Sequence, residues 1–131
     1  MGSFADYWEN EILDHLFGKG SYTPPTIYVG LSTADPDDDA SGLAEPSGNS
    51  YARTSTAGAD WNVASGGTLD NANDITFPEA SGSWGTITHF ALFDAASAGN
   101  MLAHGTLSVS KSIDSGDTAK FAAGDLDVSL N

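Results

Sequence analysis

Two hydrophobic periods divide this chain. From Phe4 to Phe17 the apolar residues recur three or four apart. Phe4, Trp8, Ile12 and Leu16 make one stripe, with Leu13 and Phe17 beside it. That spacing predicts an α-helix over residues 3–17. Ser3 suits its N-cap, and Asp6 three residues later is the acidic partner of a capping box. Gly18 stands where a left-handed residue ends a helix, and Lys19 suits the negative end of the dipole.

Beyond Pro24 and Pro25 the period falls to two. Ile27, Val29 and Leu31 alternate with Tyr28, which predicts a strand over 26–31. Residues 51–56 read as a short strand. The stretch 58–73 is irregular, with Trp61 and Val63 as apolar anchors. Residues 75–77 form a short strand stopped by Pro78. Residues 86–93 are apolar on both sides, as a central strand covered on both faces requires. A turn over 95–100 leads to a strand at 101–109, the pattern of a hairpin with a longer loop. Phe121 sits in another short strand. Over 125–130, Leu126, Val128 and Leu130 point inward.

One helix followed by roughly six to eight short strands at this spacing predicts a β-sandwich. The expectation is a mainly β, single-domain fold over residues 1–131, jelly-roll-like or plainer. One N-terminal α-helix covers 3–17, and the sandwich covers 26–131. The loop 32–50 is long for a compact domain and is expected to face solvent or a partner.

Charge narrows the function. The 131 residues include 18 acidic and four basic side chains, for a net charge of −14. Such a surface offers no cluster of cations to neutralise phosphates, which excludes direct nucleic-acid binding and a polybasic membrane grip. With no cysteine, thiol catalysis, disulfides and Cys-ligated zinc are excluded. No apolar run approaches a membrane span, and the first residues lack a signal-peptide pattern. Apolar residues at 40% are enough for a core, so the acidity belongs to the surface of a folded domain.

Candidate chemistry is sparse. Asp35, Asp37 and Asp39 alternate like the first ligands of a calcium loop. The match then fails, because Ala40 stands where the sharp turn needs glycine and Pro46 where the bidentate acid belongs. A solvated acidic loop is the plainer reading. His89 and His104 lie in neighbouring strands and could approach each other, with Asp94 after the first, while His15 lies on the helix. A hydrolytic triad needs a nucleophile, a base and an orienting carboxylate together. No G-x-S-x-G elbow occurs. No catalytic, metal or cofactor residue is assigned, and the chain is read as non-enzymatic.

Large apolar side chains supply the remaining candidates. Phe4, Trp8, Ile12 and Leu16 form a stripe wider than a small sandwich needs to cover one edge, so it either packs on its own domain or docks onto a neighbouring subunit. They and Trp84 are the candidate interface residues. Trp84 could equally be a core residue at a strand entrance. A glycan-binding module would instead show Tyr51, Trp61 and Trp84 exposed on one rim.

Several stretches in order resemble a known family: Tyr7-Trp-Glu-Asn10, Leu13-Asp-His-Leu-Phe-Gly18, Tyr28-Val-Gly-Leu-Ser-Thr33, Glu45-Pro46 with Tyr51-Ala-Arg53, His104-Gly-Thr-Leu107, and Gly116-Asp-Thr118 with Phe121-Ala-Ala-Gly124. The most specific is Trp84-Gly-Thr-Ile-Thr-His-Phe-Ala-Leu-Phe-Asp94. Together they are similar to small structural proteins of tailed bacteriophages, known as tail fibre or tail proteins, some like head-decoration proteins. The resemblance implies a virion component working in symmetric copies against other virion proteins. A host-surface glycan is the alternative partner. No cofactor and no catalytic residue comes with the resemblance.

Overall fold

In the computed structural model, which describes residues 2–130, nearly every strand finds its partner far along the chain. In chain order the elements are β1 (Gly2–Phe4), α1 (Asp6–Leu16), β2 (Ile27–Ser32), β3 (Thr54–Thr56), β4 (Thr68–Asp70), β5 (Ile75–Glu79), β6 (Gly85–Phe93), β7 (Met101–Ile113), β8 (Thr118–Phe121) and β9 (Asp127–Ser129). Seven strands form one sheet in the order β3-β2-β6-β7-β1-β9-β4, and β5 and β8 pair as a separate ribbon. The result is a mainly β single domain, a sandwich of unequal layers with one helix.

β6 takes the interior place that its two apolar faces predict, between β2 and β7. Its register sets the two sides of the sheet. Leu31 lies beside Phe90 and Val29 beside Leu92 on the front; Gly30 lies beside Ala91 and Tyr28 beside Phe93 on the back. The β5-β8 ribbon covers one end of the front. Phe121 packs edge-on against Phe77 and Phe90, with ring centroids 6.3 and 6.1 Å apart. Where β6 meets β7, Leu92 pairs with Ala103 but Phe93 pairs with Met101. The extra residue is a β-bulge, and it turns Leu102 to the front with Ala103.

The N-terminus differs from its expectation. Residues 2–4 are a strand, not a first helical turn. β1 runs antiparallel to β7, with Phe4 opposite Ala103, and touches β9 through Gly2 and Val128. The helix starts at Asp6, after Ala5, with no side-chain cap. Ser3 is therefore not a capping residue. Backbone carbonyls do that work: Ala5 N–H donates to Leu102 O at 2.8 Å, and Asp6 N–H to Asp38 O at 3.0 Å. At the other end Gly18 has φ +72°, the left-handed stop that its position predicts.

Three further segments differ. Pro78 lies inside β5, tolerated because the β5-β8 pairing shifts register between Thr76 and Glu79, where no ladder donor is needed. The irregular 58–73 stretch contains β4, paired with β9, and Val63 is 93% exposed, so it anchors nothing in the chain. Leu126 and Val128 are buried as expected, but Leu130 is 56% exposed.

Loop 32–50 closes the back of the sheet. Its Ala40 and Leu43 pack against Ala91, Phe93 and Met101. Pro36 is fully buried. The acidic tips stay in water, yet the loop as a whole is a covering layer rather than a free arm.

Candidate functional site

The two sides of the sheet carry two different sites. On the back, the polar side chains engage one another. Arg53 stacks over the Phe93 ring with its guanidinium carbon 3.4 Å from the centroid. It donates to both Glu45 oxygens at 2.9 and 2.7 Å, a bidentate pair, and to the carbonyls of Ala95 and Ala98. The Tyr51 hydroxyl donates to Glu45 Oε1 at 2.8 Å and accepts from Leu31 N–H at 2.9 Å. This hydroxyl stands in for a strand, because β3 pairs with β2 only as far as Val29. Burial pushes the Tyr51 hydroxyl far above its ordinary value and keeps it neutral. Only glycine fits at position 30, where a Cβ would sit 2.8 Å from Glu45 Oε1 and 2.9 Å from the Phe93 ring.

The histidines also lie on this side. His104 donates from Nε2 to Asp38 Oδ1 at 2.7 Å. Asp35 stands 3.9 Å from His104 and 4.0 Å from His89. The two rings do come near a shared carboxylate, as their strands suggest. The geometry is not that of a triad. His89 Nδ1 is engaged by Thr88 Oγ1 at 2.8 Å, where a triad would place a carboxylate. Asp94 instead accepts from the Asn100 backbone and side chain.

The acid run is used up in turns. Asp35 accepts from Asp37 N–H and Asp39 from Ser41 N–H. The bonds from Ser41 hold the Asp39 carboxyl below the usual carboxylate range. Among the described residues no group of three His, Asp or Glu side chains is arranged to hold a metal ion.

The front site is apolar. Beyond the end of the β5-β8 ribbon, a cleft of about 470 Å³ opens over the sheet. Its floor is Leu92, Leu102, Ala103 and Val128. One wall is Phe4 and Trp8 with Tyr22, Pro25 and Ile27; the other is Trp61, Ala64, Leu69 and Leu130. No charged side chain lines it. The β-bulge supplies two of its floor residues. Trp8 packs tilted against Tyr22, with centroids 4.1 Å apart, and meets Phe4 edge-on at 6.3 Å. The Trp61 indole N–H donates to Thr56 Oγ1, which fixes that ring with its apolar face free.

The helix continues this apolar surface into solvent. None of its residues is fully buried. Trp8 and Ile12 are half-buried, while Leu13, Leu16 and Phe17 are 53%, 71% and 69% exposed. Of the residues the stripe marks, the structure therefore brings Phe4 and Trp8 to the cleft and leaves Leu16 uncovered on the helix. Trp84 lies elsewhere. It is a core residue at the entrance of β6, 4% exposed, with its N–H on Asn49 O at 2.8 Å and its ring against Tyr51. A buried ring offers no surface contact, so Trp84 is corrected to the core. Tyr51, Trp61 and Trp84 form no exposed rim.

Sequence reasoning missed Tyr22, Leu69 and Leu130 as parts of the cleft. Leu130 carried a signal, since an apolar residue continues an alternating pattern past its strand. Tyr22 and Leu69 carried none.

A family model described as Gp80, podophage GP4 fiber I protein gp80, matches residues 3–129. No curated protein matches the chain at a significant level.

Proposed function

This chain belongs to the family of the podophage GP4 fiber I protein gp80, whose place is the virion, and we propose that it serves there as an accessory building block held by protein–protein contacts. The observation that carries the reading is the open apolar cleft continued by the bare end of α1. Monomeric domains rarely leave such a surface uncovered. Leu13, Leu16, Phe17 and Leu130, each more than half exposed, forgo a large part of the roughly 1.5–3 kcal/mol that full burial of such a side chain yields. The back of the sheet supports a structural role in another way. Its carboxylates and histidines are spent on holding a loop in place, not on a reacting centre.

The test is a helix variant, Leu16→Asp with Phe17→Ser, at two exposed positions outside the core. The expected result is an unchanged melting curve for the isolated protein and a loss of the chain from purified particles, measured by mass spectrometry. Incorporation at the parent level would sink the docking role of this surface.

A further inference from the structure

The cleft says more about its occupant than that it is apolar. Its walls are uncharged, but the helix that supplies Trp8 carries carboxylates beside that wall. Glu9 and Glu11 flank Trp8 on α1, whereas Asp70 and Asp127 point to the face of the sheet opposite Leu69 and Val128. Glu11 and Asp94 lie close enough to Tyr7 and Tyr22 to raise both hydroxyls, after burial, above their ordinary values. Among the described residues none of Glu9, Glu11 and Asp94 has a cationic partner. The basic side chains are elsewhere. Arg53 is tied to Glu45 on the back, and Lys111 and Lys120 line a separate groove between β7 and β8. Only Lys19, just past α1, is near this side.

We propose that the cleft receives a basic amphipathic segment of another virion protein, with apolar side chains in the cleft and Lys or Arg on the carboxylate rim that α1 gives it. This rests on the docking reading above and names the chemistry of the partner. A second copy of this chain fits poorly. It would bring its own net charge of −14 and could offer few free cations to the rim. A basic partner removes the repulsion among the unpaired rim carboxylates and is drawn in by the field of the whole molecule.

The experiment places a photoreactive benzoylphenylalanine at Leu130, which lines the cleft and is half in solvent. Particles carrying the full chain are irradiated, and the cross-linked peptide is identified. The expected product is a segment of a different virion protein with both apolar residues and at least two Lys or Arg. That segment, made as a synthetic peptide, should then bind the free protein and change the fluorescence of Trp8 and Trp61. Glu9→Gln with Glu11→Gln should weaken it roughly three- to tenfold at low salt and hardly at all near about 0.5 M salt.

A cross-linked segment without basic residues, or one from a second copy, would overturn the basic partner and leave the docking surface standing. No cross-link in intact particles would overturn both. A basic segment whose affinity ignores the rim variant would show that the carboxylates do not select it.

Discussion

The back and front of one sheet are finished in different ways. On the back, loop 32–50 lies down over Ala91 and Phe93, and its polar groups are paired within the chain: Glu45 with Arg53 and Tyr51, Asp38 with His104. Among the described residues, no buried side-chain polar atom is left without a partner. On the front, the β5-β8 ribbon covers only the end around Phe90, and the other end stays open as the cleft. The contrast separates folding from docking. A buried polar network must be complete within the chain, because an unmatched charge there is costly. An apolar surface can wait for a partner, since exposure forfeits stabilisation but strands no charge. The side that looks chemically rich spends its polar groups on holding the fold, and the plain apolar side keeps part of its surface uncovered.

The comparison can be broken most severely at Glu45. Glu45→Ala strands Arg53, whose side chain is 5% exposed, and removes the acceptor of Tyr51. Loss of one member of such a pair should cost about 3–5 kcal/mol in denaturant unfolding. A change comparable to that of a surface residue would show that the back is not held by this network. Tyr51→Phe should cost less, about 1–3 kcal/mol, because it leaves Leu31 N–H without its acceptor. A neutral result would mean that water replaces the hydroxyl.

The smallest effect is electrostatic and lies at the irregular stretch beside the cleft wall. Asp60 accepts from Ala57 N–H and from Asn73, and these bonds hold its carboxyl below the usual carboxylate range. A lowered folded value stabilises the fold above the unfolded carboxylate value and loses that help as pH falls through the folded one. Asp60→Asn should therefore flatten the acid side of the stability curve below about pH 4 and change its slope little near neutrality. An unchanged acid limb would remove Asp60 from the acid response.

What could be read in advance was whatever depends on near neighbours. The alternation of Ile27, Val29 and Leu31 marked β2, the double apolar face of 86–93 marked an interior strand, and Gly18 marked the helix end. What could not be read depends on distant partners. Ser3 has the side chain of a helix cap, but Ala103–Gly105 offer its neighbours a strand, and pairing wins over capping. The acidic run looks like a free loop until Asp38 meets His104, 66 residues away. Trp84 looks like a surface anchor until Asn49 O meets its N–H across 35 residues. The cleft draws its walls from segments spread over almost the whole chain, so no local window contains it. The apolar stripe of α1 was legible, but its bare second half was not, because periodicity reports a face and not what covers it.

β1 is three residues long and sits between β7 and β9, with Phe4 opposite Ala103 and Gly2 opposite Val128. β1 is thus an interior strip of the sheet whose neighbours are made about a hundred residues later. At roughly 5–20 residues per second of synthesis, its residues wait for seconds before their partners leave the ribosome. These three residues cannot take their places in the sheet before β7 and β9 are made. The cleft borrows its Phe4 wall from this strip, so its surface becomes complete only once β7 and β9 are there to hold the strip. A half-made chain therefore has no finished cleft to offer.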